Sequence, residues 1–120
     1  MATMIVLQRG KYPAGADLSA KYGFAVKLSA GSAVLGGAGD SCIGVLQNKP
    51  TSGQAAEVMH MGIAPVMSGA AFSALDLLAS DANGKLQTAT AGQKVVAKAL
   101  AAATAADQLV EALVLPIGIA

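Results

Sequence analysis

Residues 23–50 read GFAVKLSAGSAVLGGAGDSCIGVLQNKP, and the alternation within them decides the fold class. Phe24, Val26 and Leu28 fall on one side of an extended chain, and Ala25, Lys27 and Ser29 on the other. That period of two marks a half-buried strand with one polar face. Gly31-Ser32 turns the chain, Val34-Leu35 is apolar again, and Gly36 to Asp40 is a turn or loop. Ile43, Val45 and Leu46 make a short apolar run ended by Asn48-Lys49-Pro50, because proline cannot donate to a ladder and biases the preceding residue away from helix.

The same texture continues downstream. Thr51 to Gly53 is a turn, and Ala55 to Met61 is a strand candidate. Ile63 to Met67 is apolar but holds Pro65, which predicts an edge or a bulge. Ala71 to Ser80 is ambiguous, since Phe72, Leu75, Leu78 and Ala79 would suit a short helix. Asn83-Gly84 offers the positive φ angles of a tight hairpin turn, with Leu86 to Thr90 as the returning strand. Gln93 to Ala106 is in conflict: its alanines favour helix by propensity. Against that stands a faint internal echo, in which the strand–loop–strand text of Gly44 to Met59 recurs about 53 to 54 residues later in Ala97 to Leu113. The echo favours strand for Val95 to Leu100. Leu109 to Leu115 closes the series as an apolar strand before Pro116.

Upstream, Met4 to Leu7 suits one short strand before Gly10, Pro13, Gly15 and Asp17 break the pattern. Residues 1–22 therefore read as an extended N-terminal arm with a little strand character, and 23–120 as a β-rich domain. Several short strands at regular turn spacing predict a small β-barrel or β-sandwich.

Composition narrows the function. The 120 residues are 54% apolar by type but only 3% aromatic and 12% charged. Alanine (27) and glycine (14) supply much of the apolar share. Four aromatic rings cannot wall a large ligand cavity. A net charge of +1 gives no field that would gather nucleic acid, and no aromatic pair is spaced for base stacking. Arg9, Lys11, Lys21 and Lys27 form the densest basic stretch, a spacing that usually means a solvated face. Cys42 has no partner for an internal disulfide. No segment has the basic flank and apolar run of a signal peptide, and the longest uncharged stretch, Val58 to Leu75, carries Gly, Pro, Ser and His, so a membrane helix is a poor reading. So little charge on a small protein suggests that part of its surface is covered by other protein copies.

Catalytic and metal patterns are weak. No Gly-rich stretch ends in Gly-Lys-Ser or Gly-Lys-Thr, and Gly36 to Asp40 lacks phosphate-loop spacing. Gly39-Asp40-Ser41 superficially resembles the nucleophile block of one esterase group, but His60 is the only histidine and no GxSxG elbow is present. Cys42 and His60 are too few for a zinc site. His60 reads as a strand residue with an ordinary hydrogen bond, and Cys42 as a small buried hydrophobe. The five methionines suit core gaps or an adaptable interface. No catalytic residue, metal or cofactor is expected, and neither nucleic acid nor membrane is an expected partner.

The order of these features resembles the capsid decoration, or cement, proteins of tailed bacteriophages. The matching text is DLSAKYGFAVKLSAGSAVLGGAGDSCIGVLQNKPTSGQAAEVMHMG (17–62), ALDLLASDANGKLQTA (74–89) and KVVAKALAAATAADQLVEALV (94–114). The signal is the succession of GVLQNKP, a loop glycine, the SDANGK hairpin and the Ala-rich closing pair. The resemblance implies a compact β-rich domain with one or two short helices. It implies a non-enzymatic protein, synthesised in the host cytoplasm, that binds the outer surface of a phage head, commonly as a homotrimer. There it would bridge neighbouring copies of the major capsid protein and stabilise the virion. It also implies an N-terminal arm that pairs with capsid strands, which makes Met4, Ile5, Val6, Leu7 and Tyr12 the candidate capsid contacts. Pro13 to Gly15 would be the hinge of that arm. The alternative is a carbohydrate- or receptor-binding β module, which would normally show exposed aromatics.

Overall fold

The computed structural model describes residues 5–116, 118 and 119, with residues 5–9 described by their backbone. Nine strands run β1 (Ile5–Pro13), β2 (Ala25–Ser29), β3 (Ser32–Leu35), β4 (Gly44–Leu46), β5 (Ala55–Met67), β6 (Leu77–Ser80), β7 (Leu86–Thr88), β8 (Ala97–Ala99) and β9 (Leu109–Val114). All pair antiparallel in one sheet of order β3-β2-β4-β5-β9-β8-β6-β7, with β1 on β5. The mainly β expectation holds, but the short helices do not: no helix occurs among the described residues. The sheet is open and curled, half-barrel in form, and isolated bridges, Ala14 to Ala33 and Ser68 to Leu86, together with the backbone bond from the Ala25 N–H to the Gly84 carbonyl, draw its parts inward.

β5 organises everything. Its Ala55 to Ile63 portion pairs with β1 along one edge. Its other edge is shared in sequence by β4, at Val58 and Met59, and β9, from Gly62 to Met67. Two wings thus leave the same edge of one strand and curl toward each other. Small side chains permit this approach. At Gly44 a Cβ would run into the Met59 carbonyl oxygen, so only glycine lets β4 lie this close to β5.

Burial follows from the curl. Val26, Leu46, Ala56 and Val58 pack with Ala14, Leu18 and Ala33 in one cluster. Ala25, Val45 and Met59 join Ala64, Val66, Leu78, Leu86, Val96, Ala112 and Val114 in the other. The β2–β4 wall is therefore buried on both faces. This corrects the half-buried reading of residues 24–29: Ala25 and Val26 are both fully buried, and the strand emerges only at Leu28, which is exposed.

Three local expectations resolve in detail. Pro65, expected at an edge or a bulge, takes an edge position within a longer strand. It sits inside β5 opposite Glu111 of β9. The Met67 N–H points away from β9 to the Gly23 carbonyl, so the donor-less nitrogen of Pro65, two residues earlier, also faces the edge that β1 has already left. The β6–β7 turn is not a two-residue turn: only Gly84 has positive φ, at 84°. Instead Asp81 Oδ1 accepts the N–H groups of Asn83 and Lys85, a side-chain-built turn. The two-residue turn falls at Ala30-Gly31, both with positive φ, between the paired Ser29 and Ser32.

Ala71 to Ser80 is a loop followed by β6. Ala101 to Ala106 is likewise loop, not helix. Buried Ser68 holds it, donating its hydroxyl to the Ala105 carbonyl and accepting the Gln108 N–H, and side-chain bonds of this kind compete with helix. The internal echo is visible as two hairpins. The Val45–Met59 pair of the first is answered, 53 and 54 residues on, by the Lys98–Leu113 pair of the second.

Candidate functional site

The expected contact residues sit on β1. Ile5 pairs with Ile63 and Val6 with Gly62, and a register shift between Val6 and Gln8 leaves Leu7 without a partner in the ladder. Met4 lies outside the described residues. The strand continues through Gly10 to Pro13, further than the sequence pattern predicts, and Tyr12 pairs with Ala56. Among the described residues no strand pairs with the other edge of β1. Such an edge presents unpaired backbone donors and acceptors to another chain.

Tyr12 anchors β1 through a contact that the sequence did not reveal. Its hydroxyl lies 2.7 Å from His60 Nε2, and His60 Nδ1 lies 3.0 Å from the Ile43 carbonyl oxygen. A carbonyl only accepts, so Nδ1 carries the proton and Nε2 accepts from the Tyr12 hydroxyl. The two rings meet edge to face, 5.7 Å apart at 89°. Gly10 makes room for this clamp, since a Cβ there would lie 2.5 Å from His60 Nε2. Three segments, β1, β5 and the approach to β4, are tied by one imidazole. Tyr12 and His60 are 48 positions apart, and no local signal joins them.

With both ring nitrogens engaged, His60 is not free to take a proton from Ser41. Asp40, the other half of the esterase-like text, is also committed. Its carboxylate accepts from Lys27 Nζ at 2.6 Å and from the Gly37 N–H at 2.8 Å, and these bonds, Lys27 first, hold it below the ordinary value of 3.8. Cys42 is 5% exposed. Burial, and then the Asp40 charge, push its thiol up to about 11, far from the thiolate a nucleophile or metal ligand needs. No group of three or more His, Cys, Asp or Glu converges among the described residues.

A second exposed feature is apolar. The outward faces of β6, β8 and β9 form a cleft of about 230 Å³ lined by Leu77, Lys98, Leu113, Leu115 and Ile119, among others. Leu77 and Ile119 are 45% and 61% exposed, so this face is more apolar than a solvated surface needs. Leu75 nearby is 65% exposed and held at φ 71°, a strained position for a bulky side chain. The aromatics, by contrast, turn inward: Phe24 and Phe72 are buried, and Tyr12 and Tyr22 half-buried.

Comparison with known proteins adds two findings. The family model described as phage cement protein matches residues 14–115, a span that starts immediately after β1. Among solved structures, the chain is similar to the crystal structure of the head fiber gp8.5 N base in bacteriophage phi29. The TM-score is 0.73 at 14% identity, over 98% of this chain and 99% of that one. At that identity the likeness speaks for the fold. A search of curated protein sequences finds no match.

Proposed function

The chain belongs to the phage cement protein family, and from that premise we propose that it decorates the outer surface of a phage head and stabilises it by bridging neighbouring copies of the major capsid protein. The observation that carries this reading is the open edge of β1. An edge already ordered on β5 by eight register pairs offers a capsid strand a preformed partner, and main-chain hydrogen bonds supply affinity without a sequence motif. Ile5, Val6, Leu7 and Tyr12, with Met4 before them, are the contacts this role assigns. The apolar face of β6, β8 and β9 suits contact between copies in a homotrimer, which would repeat each bridge around a symmetry axis. The role is mechanical and needs no catalytic group. Binding only to the assembled lattice stabilises it in proportion to occupancy.

The sugar-binding alternative loses support from the inward aromatics, because stacking needs an exposed ring face. Co-sedimentation with phage heads through a density gradient tests the proposal. Stoichiometric recovery with full heads and depletion from immature shells is the expected result; a protein that stays with the soluble fraction overturns it. Deleting residues 2–10 keeps Tyr12, His60 and the pairs from Lys11 to Pro13. The shortened chain is expected to remain folded by circular dichroism and to lose the heads, whereas full-strength binding would sink the β1 role.

A further inference from the structure

A cleft of about 380 Å³ opens where the β2–β3 wing meets the β6–β7 hairpin, beside the backbone bond from Ala25 N–H to the Gly84 carbonyl. Its polar lining includes Lys21, Lys27, Lys85 and Asn83, and its floor includes Phe24 and Leu35. Three cations from three separate segments line it, and no carboxylate does. Lys27 and Lys85 are held from outside the cleft by Asp40 and Asp107. Among the described residues Lys21 forms no ion pair; its ammonium stands 5.2 Å from the centroid of the Phe24 ring. The side chain of Asn83 adds an amide with no hydrogen-bond partner among the described residues.

The backbone tells which anion suits the cleft. A phosphate pocket built on glycine amides needs free N–H groups. Here the Gly36 N–H is spent on the Ala25 carbonyl and the Gly37 N–H on Asp40. The N–H groups of Asn83 and Lys85 are spent on Asp81. What dominates the lining is a set of separated ammonium groups over an apolar floor. Each is a point charge on a flexible stem, and two already hold an ion-pair partner on one side, Lys27 with Asp40 and Lys85 with Asp107. A single small anion gains little from them, while neighbouring carboxylates on one chain engage several together. The space would hold on the order of a dozen waters by liquid volume, room for more than one side chain.

We propose that this cleft receives an acidic peptide segment of a partner protein, with two neighbouring carboxylates on the lysines and the intervening chain on Phe24 and Leu35. The site is separate from the β1 edge and does not depend on strand addition there.

Fluorescence anisotropy of the full chain with a labelled hexaglutamate peptide tests this. Saturable binding that weakens between about 50 and 300 mM salt is expected. Lys21→Gln should weaken it about fivefold. Lys49→Gln, which removes an exposed cation just after β4 that does not line the cleft, should leave it unchanged, with both variants melting like the parent. Equal loss in the two variants, or no saturation at low salt, overturns the site. Displacement of the peptide by inorganic phosphate at concentrations where glutarate fails overturns the carboxylate chemistry.

Discussion

Replacing Gly44 by alanine tests the central packing claim. The added Cβ would overlap the Met59 carbonyl oxygen, with the Met59 carbonyl carbon at 2.8 Å and Val58 Cγ1 at 3.0 Å. Two of these three atoms are backbone of the strand that carries both wings, so no side-chain rotation relieves the clash. β4 must withdraw, and the Val45–Met59 and Leu46–Val58 pairs go with it. Two buried backbone groups left unpaired at about 1–3 kcal/mol each, with looser packing of fully buried Val45 and Leu46, put the loss at about 3–5 kcal/mol. A domain of this length holds about 6–18 kcal/mol in total. With a urea slope of about 1–3 kcal/mol per molar, the midpoint should fall by about 2 M. Gly53→Ala is the control: its φ is also positive, at 83°, but a Cβ there meets nothing within 4 Å. It should lose only the backbone term of about 1 kcal/mol. If Gly44→Ala unfolds within about 1 kcal/mol of Gly53→Ala, the close approach of β4 and β5 is not what the sequence of this hairpin protects.

Tyr12→Phe removes the hydroxyl from His60 Nε2 and should cost about 1 kcal/mol. Amide exchange should accelerate in β1 while β7 keeps its protection; uniform acceleration would argue against a local clamp. For Asp40, the folded carboxyl lies below its ordinary 3.8. Its contribution is therefore complete above that pH and is lost as pH falls through the lowered folded value. Asp40→Asn should flatten that part of the acid limb of a stability–pH curve, and an unchanged limb counts against the Lys27–Asp40 pair. Cys42 has its thiol raised from 9.0 to about 11, so its contribution holds below pH 9 and fades as pH rises through 11. A disulfide reagent at pH 8 should label it only at the rate of opening, and urea should release a fast phase. Immediate labelling of the native protein would contradict its burial.

The β character was legible because the turns are punctuated by Gly, Pro, Asn and Asp, and because the strands between them are short. What could not be read was which strands share β5. Residues 55–67 look like two strands interrupted at Gly62 and Pro65, since no local signal says that proline's missing donor faces a vacated edge. Residues 71–80 stay ambiguous and 93–106 stay in conflict because alanine and leucine propensity is local, whereas the tie from Ser68, which reaches Ala105 across 37 positions, is not. Tyr12 entered as a candidate contact through family resemblance alone; its tie to His60 needed the β1–β5 register.

The shared strand also sets an order of assembly during synthesis. β1 to β5 all precede residue 68, so those strands can pair before β6 emerges from the ribosome. At that moment the Gly62 to Met67 edge awaits β9, which arrives more than forty residues later. Until then the growing chain carries an unpaired strand edge, the feature through which nascent β proteins aggregate. Pro65 and the Gly23 contact block the opposite side of that stretch, so this part of β5 exposes one sticky edge instead of two.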